Sequence, residues 1–186
     1  MNILFVVPFA APLFDTSSST AFGGAEIRAW TLATLLAEHS NFSVTFMYEG
    51  RNKLPRHHLD GVTLNPVTRR RPKKNEPVIE LEGCRFAARH LRPYINSKAD
   101  LLVAFGASQR SAEIVAAGKL SGIKSLLFLA SDADLDPDYI PNSRGHNLWG
   151  TAHKLCSLAV RQADFVIGQS SHQSALAKLY FNRDIA

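Results

Sequence analysis

Two adjacent glycines, Gly23 and Gly24, stand directly before a stretch whose apolar residues recur at helical spacing. The N-terminus of a helix offers unpaired amide groups and the positive end of the helix dipole, and both attract phosphate. Glycine has no Cβ, so a ligand can approach the backbone closely there. Ala25 and Glu26 complete the first turn, where a carboxylate suits the dipole. The pattern predicts a phosphate-binding turn; the alternative is a flexible turn into a capped helix.

A run of alternating carboxylates follows later in the chain, at Asp132, Asp134, Asp136 and Asp138. The calcium-loop template fails, because Pro137 stands in place of the required glycine and Ser143 in place of the closing glutamate. A two-aspartate magnesium or manganese clamp on a nucleotide diphosphate is one alternative. The favoured role is hydrogen bonding to sugar hydroxyls or to a helix N-terminus, with Asp134 or Asp136 as local caps.

Several catalytic and cofactor-binding patterns are absent from the sequence. No G-x-G-x-x-G follows the first apolar run, and no P-loop is present, which argues against NAD-dependent enzymes and simple ATPases. The seven histidines include no pair at the spacing of a helical zinc site, and no G-x-S-x-G nucleophile elbow occurs. The two cysteines, Cys84 and Cys156, lie in mostly apolar surroundings and are expected to be reduced, buried thiols.

Short apolar runs alternate with longer stretches of helical periodicity, which predicts βαβ units and a mostly parallel sheet in a Rossmann-like, three-layer α/β/α fold. The predicted strands are 2–7, 43–48, 62–67, 101–105, 125–130 and 165–167. The predicted helices are 24–39, 78–94, 108–120, 148–162 and 171–181. Ligands of such folds bind beyond the carboxyl ends of the strands. The loops expected there are 8–24, 49–51, 106–108, 131–138 and 169–171.

The chain has 186 residues, of which 46% are apolar and 20% charged, a composition that excludes disorder and a disulfide scaffold. No apolar run approaches the ~20 residues that a membrane-spanning helix needs. The formal net charge of +5 is concentrated in residues 51–74, which hold eight basic residues against Asp60 alone. This segment could meet phosphates or an anionic membrane surface, or it could be a solvated loop. No aromatic residue is interleaved with the charges, so nucleic acid is not an expected partner.

Three sequence motifs together carry a resemblance to a known family. Phe22-Gly-Gly-Ala-Glu26 follows a first strand of Ile3-Leu-Phe-Val-Val7, and Leu127-Phe-Leu-Ala-Ser-Asp132 occupies the place of a later strand and its loop. Ala163-Asp-Phe-Val-Ile-Gly-Gln-Ser170 precedes His172-Gln173 and Leu176. In this order and spacing the chain resembles the N-terminal domain of retaining, group 1 (family 4-like) glycosyltransferases of the GT-B fold.

The resemblance implies a function for the whole chain, residues 1–186, as the acceptor-side domain of a sugar-nucleotide-dependent hexosyltransferase. The donor would be a nucleotide-diphosphate sugar and the acceptor a sugar, lipid or other hydroxyl compound, with no further cofactor and no metal. The family's donor motif, two glutamates eight residues apart, is missing, so the C-terminal donor-binding domain is expected to be absent from this chain. The isolated chain is then expected to be inactive. A cytoplasmic location is expected, with peripheral contact at the inner membrane face.

The resemblance also assigns site residues. Donor-phosphate binding falls on Gly23, Gly24, Ala25 and Glu26. Acceptor binding is expected at Phe105, Gly106, Ser108, Ser131, Asp132 and Asp134. Many family members carry a histidine at the end of the fourth or fifth strand, where this chain has Phe105-Gly106 and Ser131-Asp132, so the catalytic residues stay unassigned. The alternative function is a stand-alone Rossmann-like module that binds a phosphorylated ligand without catalysis.

Overall fold

The computed structural model of the chain describes residues 1–14, 23–50, 56–67, 84–147 and 150–186. Its strands are β1 (Asn2–Val6), β2 (Ser43–Glu49), β3 (His57–Leu59), β4 (Val62–Val67), β5 (Leu101–Phe105), β6 (Lys124–Phe128) and β7 (Phe165–Ile167). Its helices are α1 (Gly24–Ala37), α2 (Cys84–Ile95), α3 (Gln109–Ser121), α4 (His153–Gln162) and α5 (Ser171–Phe181). Short 3₁₀ turns lie at Ala11–Leu13 and Asp132–Leu135.

The strands form one sheet in the order β3-β4-β2-β1-β5-β6-β7. All neighbouring pairs are parallel except β3 with β4, which form an antiparallel hairpin. From β1 the chain moves outward to β2 on one side and later to β5 on the other, so the strand order reverses between β1 and β5. Ligand crevices of open α/β sheets lie at this reversal, beyond the carboxyl ends of the strands.

Two apolar clusters cover the two faces of the sheet. On one face Ile3, Phe5 and Val103 pack with Ala29 and Ala33 of α1. On the other face the cluster joins strand residues to α2, α3, α4 and α5; it includes Leu4, Leu102, Leu127, Leu91, Ile114, Val160 and Ala177. The predicted α/β fold with a mostly parallel sheet and helices on both faces is confirmed.

Two elements differ from the sequence-based prediction. The hairpin strand β3 was not predicted, because its residues are all exposed and carry no apolar alternation. The fourth helix begins at His153 instead of Leu148, since Gly150 adopts a positive φ of 76° and Ala152 still forms an extended bridge with His146. Residues 78–83 of the predicted second helix lie outside the described residues.

Within the described ranges, no helix combines the length and the apolar character that crossing a bilayer requires.

Candidate functional site

The candidate site lies at the carboxyl edge of β1, β5 and β6, where the strand order reverses. The loop after β1 leads into the N-terminus of α1, and the short loop after β5 leads into the N-terminus of α3. The loop after β6 contains the 3₁₀ turn Asp132–Leu135. Parallel topology therefore brings three of the loops expected to bind ligand to one edge of the sheet.

At the start of α1, one backbone amide of the turn predicted to bind phosphate is already bonded to a side chain of the same turn. The Gly23 amide donates to Glu26 Oε2 at 2.8 Å, so the carboxylate caps the helix as expected of an acidic residue there. Gly24 and Ala25 follow in the first turn, where helix geometry gives their amides no intrahelical acceptor. Gly24 is exposed, and a Cβ built on it would meet no atom within 4 Å. The open approach to this turn is thus at Gly24 and Ala25, next to the Glu26 carboxylate.

Arg28, one turn further along α1, ties this helix to the ends of β5 and β6. Its Nη2 donates to the Leu129 carbonyl at 2.8 Å, and its guanidinium lies 5.5 Å from the centre of the Phe105 ring. Burial lowers the pKa of Arg28, and the nearby Asp134 carboxylate partly opposes this. Among the described residues, its buried Nε has no hydrogen-bond partner. The link holds the N-terminal turn of α1 at the same edge as the loops after β5 and β6.

Asp134 joins the loops after β5 and β6. Its Oδ1 accepts from the Ala107 amide at 2.7 Å, and its Oδ2 accepts from the amides of Ala130 at 2.6 Å and Ser131 at 3.1 Å. The side chain is buried. Burial raises the pKa of Asp134, while the three amides and Arg28 act to lower it. Asp134 is therefore a local cap, as one sequence-based alternative had it, and it also fixes the loop after β5.

The other residues assigned to the acceptor after β5 are half-buried parts of the loop. The ring of Phe105 stacks on that of Phe128 with centroids 4.9 Å apart. Gly106 has a positive φ of 72°, which glycine adopts without strain, and its amide donates to the Phe128 carbonyl at 2.8 Å. Ser108 is the N-cap of α3 and accepts from the Ser111 amide at 3.2 Å. Here Phe105 and Gly106 shape the loop, and Ser108 caps the helix after it.

After β6, Ser131 and Asp132 are exposed at the edge. Asp132 Oδ1 accepts from Gln173 Nε2 at 3.1 Å, and His172 Nε2 lies 3.8 Å from Asp132 Oδ2. Gln173 is buried, and its Oε1 accepts from the Gln169 amide at 2.7 Å. This chain of bonds fixes the Asp132 side chain against the start of α5 while leaving it open to solvent.

A second polar cluster lies at the same edge, on the β2 side of the reversal. Arg110, in the first turn of α3, donates to Glu49 Oε1 at 2.5 Å and to Glu113 Oε2 at 2.6 Å. Glu49 is the last residue of β2. His90 Nδ1 lies 3.6 Å from Glu113 Oε1. This group links the end of β2 and the middle of α2 to the start of α3.

Sequence reasoning placed these loops at one edge of the sheet but did not single out Arg28, Arg110, Gln169 or Gln173. An arginine one turn after a Gly-Gly helix start, on a helix with an apolar face, was the available signal for Arg28. Gln173 belonged to the motif that carried the resemblance, without an assigned role. In the described part of the chain, no group of three or more histidine, cysteine, aspartate or glutamate side chains could hold a metal ion.

No family model and no curated protein matches the sequence. Solved structures with a similar fold include the sucrose-phosphate synthase (tll1590) of Thermosynechococcus elongatus, with a TM-score of 0.59, 12% sequence identity and coverage of 99% of this chain and 46% of that chain. The UDP complex of UGT89C1 from Arabidopsis thaliana matches with a TM-score of 0.57 and 14% identity, over 97% of this chain and 49% of that chain. This chain thus spans about half the length of each. At such identities the likeness shows the fold alone: the chain has the fold of one Rossmann-like half of a GT-B glycosyltransferase.

Proposed function

We propose that the chain is the acceptor-side half of a sugar-nucleotide-dependent glycosyltransferase that transfers a hexosyl unit to a hydroxyl acceptor with retention. The observation that carries the proposal is the position of the Gly24 turn at the reversal of strand order. Arg28 fixes that turn to the ends of β5 and β6. The match to one half of two larger structures, one of them solved with UDP, supports the same conclusion.

The proposed chemistry uses the N-terminus of α1 to stabilise the leaving nucleoside diphosphate. Negative charge grows on the diphosphate as the glycosidic bond breaks, and the amides of Gly24 and Ala25 with the helix dipole face that charge. The Glu26 carboxylate already holds the Gly23 amide, so the phosphate would bind one residue further into the helix. The exposed Ser131 hydroxyl would donate to or accept from acceptor hydroxyls, and the exposed Asp132 carboxylate would accept from them.

The proposed enzyme needs a second, donor-binding half. The described edge carries acidic groups at Glu26, Asp132 and Asp134 and the guanidinium of Arg28. Arg110, at the same edge, is already paired with Glu49 and Glu113, so these described charges do not favour a diphosphate by themselves. Basic groups of the donor half would compensate the diphosphate charge. The isolated chain is accordingly expected to bind a sugar nucleotide poorly and to turn over nothing.

The test substitutes Gly24→Ala in the protein encoded by the complete gene, with UDP-sugars as donors and released UDP as the readout. A methyl group at this open position blocks the approach of a phosphate but meets no protein atom. Alanine is the better helix former, so the fold is expected to gain about 0.5–1 kcal/mol while transfer falls at least tenfold. Thr31→Ala, exposed in the middle of α1, is the matched control: it strengthens the helix without touching its N-terminus.

Equal transfer by Gly24→Ala and Thr31→Ala would refute the phosphate role of this turn. The anomeric configuration of the product, read by NMR, tests retention separately. Sequencing the gene downstream of the Ala186 codon distinguishes the alternative: a stop codon there favours a stand-alone module binding a phosphorylated ligand, and a continuation containing glutamates eight residues apart favours the enzyme.

A further inference from the structure

Arg28 makes fewer hydrogen bonds than the burial of its guanidinium calls for. A guanidinium carries five N–H donors. Within the described residues, its one hydrogen bond runs from Nη2 to the Leu129 carbonyl at 2.8 Å. The buried Nε has no acceptor among these residues. A buried donor without an acceptor has lost its hydration for no gain, and in native structures such a group points to a missing partner.

The carbonyl that holds Arg28 has a second donor. Gln169 Nε2 also donates to the Leu129 carbonyl at 2.8 Å, and the Gln169 backbone amide is fixed by its own bond to Gln173 Oε1 at 2.7 Å. A carbonyl oxygen accepts up to two hydrogen bonds, and one is enough to avoid the cost of burying it unbonded. If Arg28 withdrew, Gln169 would still donate to Leu129. The guanidinium can therefore leave its present acceptor without leaving a buried carbonyl unpaired.

The other attractions on Arg28 come from a ring and a charge. Its guanidinium lies 5.5 Å from the centre of the Phe105 ring, which is a modest cation–π contact. The Asp134 carboxylate attracts it, but both carboxylate oxygens already accept backbone amides. Burial still lowers the pKa of Arg28, so Asp134 compensates only part of the cost of holding this cation there. A second anion near the guanidinium would stabilise it further.

Arg28 lies directly behind the open turn of α1. Residues four apart on a helix share one face, so Arg28 is the neighbour of Gly24 one turn along the helix. Helical side chains lean toward the helix N-terminus, which here is the Gly24 turn. Gly24 puts no side chain in the way, and a Cβ there would meet no atom within 4 Å. Because Ala29 and Ala33 are buried against the sheet, α1 keeps its place when the guanidinium alone moves.

We propose that Arg28 is an exchangeable anion-binding residue, which passes from the Leu129 carbonyl to a diphosphate bound at Gly24 while Gln169 keeps the carbonyl. The exchange replaces one neutral acceptor by phosphate oxygens, which accept charge-assisted bonds from the free Nε and Nη donors. It rests on the proposed function and supplies a cation to a turn that otherwise presents the Glu26 carboxylate. Gln169 does not touch the anion and acts as a positioning residue.

The test titrates the chain with inorganic pyrophosphate and follows the Arg28 Nε–Hε signal by ¹H–¹⁵N NMR. Binding at millimolar concentration is expected, and the Hε resonance should move downfield because the proton gains an acceptor. Arg28→Met should weaken pyrophosphate binding about tenfold, and Arg28→Lys should restore part of it, since lysine keeps the charge but not the planar fork. Arg92→Met, which removes an exposed arginine from the last turn of α2, is the matched control and should bind as wild type does.

Gln169→Ala separates an exchange from a fixed role of Arg28. Without the Gln169 side chain, the Leu129 carbonyl depends on Arg28 alone, so the guanidinium is held back and pyrophosphate binding should weaken about two- to fivefold. An Arg28 that only braces α1 against the sheet would leave the binding of pyrophosphate to Gln169→Ala unchanged, and that result would overturn the exchange. The full ¹H–¹⁵N spectrum of each variant shows whether its fold is kept; if Arg28→Met does not fold, Arg28→Lys and Gln169→Ala carry the test.

Equal pyrophosphate binding by the wild-type chain, Arg28→Met and Arg92→Met would overturn the proposal. An Nε–Hε signal that stays in place at saturation, or no binding at all, would do the same. Gly24→Ala in the same titration distinguishes this result from the proposed function. Weaker binding by Gly24→Ala but not by Arg28→Met would keep the phosphate turn and remove the exchange, and pyrophosphate involves neither a sugar nor a transfer step.

Discussion

Among the four alternating aspartates of its loop, Asp134 is the buried one, and its carboxylate joins the loops after β5 and β6. Four aspartates alternate in its loop, and their spacing does not tell which of them turns inward. The 3₁₀ turn Asp132–Leu135 decides this, because it buries Asp134 and leaves Asp132 exposed. The carboxylate then reaches the Ala107 amide, 27 residues away in sequence. Local capping could be predicted from residue type, whereas this long-range bond depends on the packing of β5 against β6.

Asp134→Asn is expected to destabilise the fold by about 1–3 kcal/mol. An amide group in this position turns at least one N–H toward the backbone N–H groups of Ala107, Ala130 and Ser131 and leaves a buried donor without an acceptor. Urea unfolding followed by circular dichroism measures the change. Asp138→Asn, an exposed member of the same run, serves as the control and should stay within about 0.5 kcal/mol of wild type. Equal stability of the two variants would contradict the bridging role of Asp134.

At the scale of elements, periodicity and caps predicted most of the architecture. Helix α3 is capped by Ser108 and ends at Gly122, whose φ of 74° is the left-handed conformation that the sequence-based stop at this glycine implies. Helix α5 coincides with its predicted span, 171–181. The hairpin of β3 and β4 was not predicted, although its turn residues indicate one. Asp60 and Gly61 both adopt a positive φ. An Asp-Gly pair with two-residue spacing favours such a turn.

The link between β6 and β7 depends on an aspartate at the opposite edge of the sheet from the site. Asp164 accepts from the Ser125 amide at 2.9 Å and the Ser125 hydroxyl at 2.8 Å, and Lys119 Nζ lies 3.2 Å from its Oδ1. Burial acts to raise the pKa of Asp164, but the bonds from Ser125 and Lys119 outweigh it and hold the pKa well below its ordinary value. As the pH falls, the Asp164 carboxylate is therefore protonated at a higher pH in the unfolded chain than in the folded one.

This order of protonation predicts a pH-dependent contribution to stability. The bonds of Asp164 stabilise the fold fully above its ordinary pKa of about 4, and the contribution is lost as the pH falls toward the depressed folded value. Asp164→Asn should lower the free energy of unfolding by about 1–3 kcal/mol at neutral pH. The difference in this free energy between the variant and wild type should become smaller below about pH 4. Denaturant unfolding over a pH series measures this. Asp184→Asn is the control: this side chain is 87% exposed, so the substitution should have little effect on stability. A stability difference between Asp164→Asn and wild type that stays the same at every pH would contradict the argument.

At the scale of the whole molecule, topology predicted which loops lie together, whereas residue type did not predict the contacts that join them. Alternating strands and helices imply a parallel sheet with its loops gathered at one edge. The contacts across that edge, from Arg28 to Leu129 and from Arg110 to Glu49, join residues 101 and 61 positions apart. Such pairs leave no periodic signal in a single sequence. These contacts therefore become visible only once the sheet is assembled.

The charge is unevenly distributed along the chain, and the basic segment 51–74 predicts binding to an anionic membrane surface. Residues 51–74 hold eight basic residues and one acidic one, and seven of the eight basic residues lie outside the described residues. Its two basic runs follow the carboxyl ends of β2 and β4, which are neighbours, since the Gly50 amide donates to the Val67 carbonyl at 3.2 Å. The described chain ends to which both runs are joined, Gly50 and Val67, therefore lie at the same edge as the candidate site.

The expected outcome is co-sedimentation with phosphatidylcholine vesicles containing phosphatidylserine, and none with phosphatidylcholine alone. Replacing Arg69, Arg70 and Arg71 by glutamine should weaken binding about a hundredfold, since each basic residue near such a surface contributes about 1 kcal/mol. Raising the salt concentration should also weaken binding to the vesicles. The control removes equal charge from exposed sites elsewhere, at Arg92, Lys98 and Arg144. If both triple variants lose the same affinity, net charge alone attracts the protein, and the basic segment is not a membrane-binding element.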